Sequence, residues 1–384
     1  MLARDEIQRL VEAYPPAPWI GTIGSHSALD VADGAVSEGF RTVVLAQRGR
    51  EATYARYYRA HRGPGGAVER GCVDEVWTYQ RFADVLGAAE QERLRARGVL
   101  LVPNRALSSY VPLEGIENDL KVPIVGSRAL LRIEERTERE NYYTLLEAAG
   151  IPIPEKLASP EAIDGLAIVK LPHAKKRLER GFFTAASPTE YERKRRSLLE
   201  RGVVAEDDLA KARIERYVLG PVFNFNFFLS PLVPRADALE LLGVDERRES
   251  SLDGLVRLPA AQQLEMEAAD RIPEYTVVGH GTLTVRESLL EDAFRIGERF
   301  VEAARERYPP GILGPFCLQT CIDRDGKPTV FDVAARIGGG TNVHLGVGHP
   351  YGNALWRTPM STGRRIALEV RRALDEGRLK EIIT

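Results

Sequence analysis

Two periods of apolar and polar positions run along the chain, and the places where one gives way to the other mark its elements. APWIGTIG (17–24) is an apolar run entering a glycine turn, which predicts a strand. SALDVADGAVSEGF (27–40) then has helical spacing, with Leu29, Ala32 and Ala35 on one side, and RTVVLAQ (41–47) returns to a short apolar strand. Strand, turn, helix and strand in that order argue a parallel sheet that takes ligands at its strand ends. GVLLVP (98–103) predicts another strand, and KVPIVG (121–126) a passage into the next unit.

A charged helix is expected from about 127 to 150, stopped by Gly150 and Pro152. GLAIVKLP (165–172) is an apolar strand ending on Lys170. ARIERYVLG (212–220) and VFNFNFFLSPL (222–232) are rich in β-branched or aromatic residues and predict strands. In the second, Phe223, Phe225 and Phe227 alternate with Asn224, Asn226 and Phe228, so one face is apolar and the other largely polar. RESLLEDAFRIGERFVEAARER (286–307) is an amphipathic helix with Leu289, Ala293, Phe300 and Ala304 along one stripe. GPFCLQTCID (314–323), the turn RDGK and PTVFDVAARI (328–337) read as a hairpin, and TGRRIALEVRRAL as a last helix.

Composition narrows the class. The chain's 384 residues exceed one ordinary core, so two or three lobes are expected. Its net charge of −2 provides no global field to draw it to nucleic acid or a lipid surface. Cys72, Cys317 and Cys321 have neither a disulfide framework nor zinc spacing and read as buried thiols of a reducing compartment. The N-terminal MLARDEIQRLVEAY is charged and amphipathic, unlike a signal peptide, and no run of about 18 apolar residues offers a membrane span. The expectation is a cytoplasmic, soluble protein.

Candidate chemistry concentrates in the late hairpin. Across a turn centred on Asp325–Gly326, Gln319 and Asp332 fall close to opposite each other. Cross-strand neighbours can share a ligand, and an amide oxygen with a carboxylate suits Mg²⁺ whose shell phosphate and water complete. Arg336 shares Asp332's face by alternation and can hold a phosphate, while GGGTN (338–342) lets the backbone approach an anion. A structural Asp–Arg pair on a solvated hairpin fits the same spacing equally well. Lys170, ending its strand, either snorkels at a sheet edge or reaches for a phosphate. GTIGSHS (21–27) sets Ser25, His26 and Ser27 beside backbone amides at a helix start, a weak phosphate signal. HAKKRLERG (173–181) is a lid or a solvated basic loop, and His280, His344 and His349 have no acidic partner at metal-ligand spacing. The absence of GxSxG, HExxH, CxxC and P-loop patterns counts against hydrolases, zinc enzymes and Walker-type ATPases.

In order, these residues resemble the ATP-grasp superfamily, and more closely the archaeal-type formate-dependent FAICAR synthetases, the PurP family. The resemblance spans nearly the whole chain. It is carried by GSHSALD (24–30), EGFRTVVLAQRGRE (38–51), EAAGIPIPEK (147–156), IERYVLG (214–220), LELLGVDERRES (239–250), DGLVRLPA (253–260), VRESLL (285–290), PPGILGPFCLQ (309–319) and FDVAARIGGGTN (331–342). It implies an α/β (α+β) ATP-grasp fold in three lobes: an N-terminal parallel α/β domain (1–122), a small lobe with a lid (123–212) and a large lobe with the metal site (213–384). It implies a ligase that uses ATP and Mg²⁺ (or Mn²⁺) to activate formate as formyl phosphate. The 5-amino group of AICAR, an aminoimidazole carboxamide ribonucleotide, then attacks it to give FAICAR, ADP and phosphate. By the same match Lys170, Glu215, Tyr217 and Val218 bind ATP, Gln319 and Asp332 hold the metal, and Arg336 and Asn342 face the γ-phosphate and formate. Ser25, His26, Ser27 and Ser251 contact the ribonucleotide. A homo-oligomer, trimer or hexamer, is also implied, with no nucleic-acid or membrane partner.

The chain departs from that family pattern at four places. PNRAL (103–107) stands where the family shows PHGSF, so Ala106 replaces a serine expected at AICAR; Ser251 replaces an asparagine; Asp332 replaces a glutamate; and a single glycine, Gly181, remains in the lid. These leave two alternatives open: a paralogue that joins a small carboxylate to a different imidazole or purine nucleotide, and a nucleotide-binding protein without ligase activity.

Overall fold

The structure, a computed structural model, describes residues 2–136, 138–171, 182–250, 253, 256–268 and 277–384, the side chains of 266–268 excepted. Ser251 and the basic loop 173–181 therefore lie outside the described residues. Strands are β1 (Trp19–Ile23), β2 (Arg41–Gln47), β3 (His61–Arg62), β4 (Val68–Arg70), β5 (Glu75–Tyr79), β6 (Val99–Leu101), β7 (Ala167–Lys170), β8 (Phe182–Ala185), β9 (Arg213–Arg216), β10 (Val222–Leu229), β11 (Leu239–Glu249), β12 (Val277–Leu283), β13 (Gly314–Ile322) and β14 (Pro328–Ala334).

The first sheet, ordered β5-β2-β1-β6, is parallel at every pairing. Its central strands are buried along almost their whole length, as strands covered on both faces must be. Helix Ala28–Ser37 leaves β1 through GSHS and carries the chain to β2. A second, three-stranded sheet, β8-β7-β9, is antiparallel and pairs Lys170 with Arg213 and Ile168 with Glu215. The third sheet, β12-β11-β10-β13-β14, is antiparallel throughout. One of its faces buries Phe225, Phe227 and Phe316 against helix Leu290–Arg307, whose Ala293, Phe300 and Ala304 form the expected stripe.

The first and third sheets are locked together from the C-terminus. Gly34 and Gly363 let helix Ala28–Ser37 and helix Thr362–Asp375 touch backbone to backbone, where any Cβ would overlap the neighbour. Asp30, wholly buried, accepts the Gly363 N–H at 3.0 Å. Ile124 and Thr384 exchange backbone hydrogen bonds at 3.0 Å, and the Arg128 guanidinium donates to four carbonyls, including that of Thr384. Most of the polar groups buried at this seam are hydrogen-bonded across it, which fixes the sheets' relative position; Asp30 Oδ1 and Arg128 Nε are left without a partner.

The helix expected over 127–150 is instead a 3-10 turn (Arg128–Glu134) and a short α-helix (Tyr142–Ala148). Asn141 divides them: its side chain accepts the Tyr143 N–H at 2.9 Å while Thr144 accepts the Asn141 N–H, a reciprocal cap that starts a new helix. The three cysteines are free and buried. No described helix is long and apolar enough to cross a membrane.

Candidate active site

Three cavities adjoin one another through shared lining residues. A cleft of about 400 Å³ lies between the second and third sheets, lined among others by Ile168, Lys170, Glu215, Tyr217, Val218 and Asp332. A chamber of about 250 Å³ follows, walled by Asn224, Asp245, His280, Gln319, Arg336 and the glycines 338–340. Arg247 lines both. An outer groove of about 600 Å³ opens at the ends of β1 and β2, with Gln47, Arg50 and Arg81 on its wall; Ser25, His26 and Tyr110 line both groove and chamber. Ligand space thus sits beyond the carboxyl ends of the parallel strands.

One row of side chains crosses the third sheet. Register pairs Thr282 with Asp245, Asp245 with Asn224, Asn224 with Gln319, and Gln319 with Asp332. The hairpin therefore forms as expected, with Gln319 and Asp332 as direct partners and a bulge just after Gln319. Asp332 opens on the cleft, Gln319 on the chamber, and the Gln319 Oε1 accepts from the Arg247 guanidinium. The Arg136 guanidinium stands 4.0 Å from the Asp332 carboxylate. Arg336 is no solvated hairpin partner of Asp332. Buried, it pairs with the buried Glu134 at 3.0 Å and donates to the Ile337 carbonyl at 2.8 Å.

Lys170 is neither at an edge nor snorkelling. It is 6% exposed, its Nζ sits 2.5 Å from a Glu215 carboxylate oxygen, and it donates to the Tyr143 hydroxyl at 2.7 Å. Glu215 also receives Arg213 at 2.5 Å and is itself fully buried. Burial pulls the Lys170 ammonium down to about 8, although Glu215 works in the other direction. The ammonium is charged below that value and neutral above it. ATP affinity measured without metal is expected to weaken several-fold as pH rises through about 8, and Lys170→Met should remove that step. An unchanged step in the variant would take Lys170 off the phosphates.

Of the GSHS turn, Ser25 and His26 reach the cavities. Ser27, expected beside them, is wholly buried in the left-handed region at φ 66°, and its hydroxyl donates to the Gly338 carbonyl. It ties the turn to the glycine loop. Asn342, expected to face phosphate and formate, lines none of these cavities; its Oδ1 accepts the Asp30 N–H at 3.1 Å. Asn104 holds the turn from the other side, donating to the Ile23 carbonyl at 2.7 Å and the His26 carbonyl at 3.2 Å. Ala106 is buried in the core, whereas the neighbouring Arg105 faces the chamber, 3.8 Å from Glu134. His344 and His349 stack in the interior at 3.5 Å between ring centres, held neutral by burial.

Residues the sequence left without roles fill the rest: Arg136, Asp245, Arg247, Glu134, Arg50 and Arg81. Five of them, all but Arg81, lie in stretches already singled out, RIEERTERE, LELLGVDERRES and QRGRE, so the available signal was charge inside those motifs.

Known proteins place the chain. Two families of unknown function match, DUF1246 over residues 20–157 and DUF1297 over residues 190–384. A 5-formaminoimidazole-4-carboxamide ribonucleotide synthetase of Methanopyrus kandleri is 42% identical over 385 residues, all of both chains. The crystal structure of an IMP biosynthesis protein PurP from Thermococcus kodakaraensis is similar at TM-score 0.68 and 30% identity, covering 95% of this chain and 100% of that one. An Aspergillus clavatus N5-carboxyaminoimidazole synthase, solved with ADP and 5-aminoimidazole ribonucleotide, shares the fold at TM-score 0.54 and 13% identity, over 86% of this chain and 72% of that one. By full-length identity and fold, this chain belongs to the 5-formaminoimidazole-4-carboxamide ribonucleotide synthetases, the PurP family, built on the ATP-grasp fold.

Proposed function

We propose that the protein is an ATP-dependent ligase that activates formate as formyl phosphate and transfers the formyl group to the 5-amino group of AICAR, giving FAICAR, ADP and phosphate. The observation that carries this reading is the adjacency of the three cavities through shared lining residues, in a chain alike over its full length to synthetases named for that product. ATP fits the cleft, with its phosphates directed at Lys170 and Arg136. The aminoimidazole base fits the chamber, and its 5′-phosphate the outer groove between His26, Arg50 and Arg81. Guanidinium groups converging from both sides suit a reaction that moves a phosphoryl group and then expels phosphate.

Gln319 and Asp332 bring one amide oxygen and one carboxylate to adjoining positions, and no group of three or more His, Cys, Asp or Glu side chains among the described residues makes a complete metal cage. That donor set fits Mg²⁺ or Mn²⁺, which bind through one or two protein oxygens plus phosphates. Such an ion neutralises phosphate charge when bound. A trimer or hexamer belongs to the same proposal and is checked by light scattering.

The deciding experiment is ADP release with ATP, Mg²⁺ and formate, with and without AICAR, and product identified by mass. AICAR-dependent ADP release with FAICAR is expected. ATP binding without any AICAR-dependent turnover would favour the second reading, a ligase for a different imidazole or purine nucleotide, which the Arg105 side chain on the chamber wall supports. His26→Ala should raise the KM for the ribonucleotide about tenfold and that for ATP less than about twofold, since His26 lines the groove and chamber but not the cleft. Equal changes in both would remove His26 from the acceptor.

A further inference from the structure

Asp245 is the one acidic side chain among the described residues that line the chamber, and the reaction as outlined gives it no task. It lies mid-strand on β11, 1% exposed, and Arg247 on the same strand favours its charged form while donating to Gln319. Its two oxygens instead accept from amides, Asn224 Nδ2 at 2.8 Å and Asn226 Nδ2 at 2.6 Å. Both amides come from β10, the neighbouring strand, and their carbonyl oxygens have no hydrogen-bond partner. Amide donors fix the carboxylate's direction without neutralising it, and each carboxylate oxygen keeps lone pairs for another donor. Gly340 closes over the group: a Cβ there would collide with the Asp245 carboxylate and with the His280 ring.

We propose that Asp245 is the general base that takes the proton from the acceptor amine as the amine attacks the acyl phosphate. The inference rests on the function proposed above. In that step the amine nitrogen bonds to the formyl carbon, and the carbon–oxygen bond to phosphorus-bound oxygen breaks. Its electron pair leaves on inorganic phosphate, and the N–H proton passes to an Asp245 oxygen and then to solvent.

Other groups around Asp245 are poorly suited to the task. Arg247 on its own strand and Arg336 beyond β14 offer donors only. Cys317 on β13 is a thiol that burial keeps protonated. His280 on β12 is pulled down to about 4, first by burial and then by Arg247 and His26, which leaves it a weak base. Burial lifts Asp245 to about 6 against the two amide bonds, closer to neutrality and so a stronger base than an exposed aspartate.

The test is the rate of FAICAR formation against pH for the whole enzyme, Asp245→Asn and Asn226→Ala, together with dissociation constants for ATP and AICAR. Asp245→Asn should lose about a hundredfold or more in kcat and bind both ligands within about twofold of the parent. The parent's kcat should fall on the acid side as Asp245 takes up a proton. Asn226→Ala removes a donor that favours the charged form, so its acid limb should move to higher pH. Asp245→Asn turnover within about threefold of the parent would overturn the proposal, as would a loss of AICAR affinity matching the loss of rate. A limb that stays in place in Asn226→Ala overturns it as well, and decides alone if Asp245→Asn does not fold. A parent enzyme that makes no FAICAR defeats the function itself, an outcome separate from these.

Discussion

Arg336→Ala is expected to lower turnover about a thousandfold and to cost about 3–5 kcal/mol of stability in the same step. The second effect follows from where the side chain sits. Arg336 and Glu134 are buried together at 3.0 Å, so truncating the arginine leaves a carboxylate in the interior with its main counter-charge gone. Loss of activity in that variant alone would then say little about chemistry. The double variant Glu134→Gln, Arg336→Met separates the two. It removes both charges at once and keeps the volume, so a urea or thermal melt should recover most of the stability. Turnover should not recover if Arg336 holds the reacting phosphoryl group as proposed, because the chamber would still lack its guanidinium. If the double variant regains both, Arg336 is a structural ion pair and nothing more.

Part of this arrangement was legible in the sequence. The Asp-Gly turn fixes the hairpin, and period-2 counting from it sets Gln319 against Asp332, the register found. Lys170 stood out as a cation ending an apolar strand, but that pattern left snorkelling and phosphate binding open, and only the fold shows it buried beside Glu215. What escaped was β11. LELLGVDERRE is buried on both faces over its first half and charged over its second, so it never alternates and carries no strand signature. Asp245 and Arg247 went with it. VVGHGTL (β12), broken by glycines, escaped for a related reason. Ser27 and Asn342 show a different limit. Their residue types suit ligand contacts, but their partners, Gly338 and Asp30, lie more than 300 positions away along the chain. Local pattern holds no information about a bond that exists only after two sheets have docked.

Asp332→Asn is the other change with a large expected effect, about a thousandfold in kcat with Mg²⁺ and ATP, and its form distinguishes two roles for the carboxylate. Asp332 is 6% exposed, with Arg136 at 4.0 Å, and its charge supports the charged form of Arg136 and of Lys170 nearby. Removing that charge makes the cleft more positive. ATP without metal should therefore bind at least as well in the variant as in the parent. The Mg²⁺ needed for half-maximal ADP release should rise steeply, because a neutral amide oxygen holds a hard divalent ion less firmly than a carboxylate does. Gln319→Ala should do the same more weakly, about tenfold in Mg²⁺ requirement, since only a neutral donor is lost. If Asp332 served only as a counter-ion for Arg136, metal-free ATP would tighten and the Mg²⁺ requirement would stay put. A metal-free ATP titration beside a Mg²⁺ titration of ADP release thus assigns the residue whichever way it falls: the two curves move in opposite senses for a metal ligand, and only the first moves for a counter-ion.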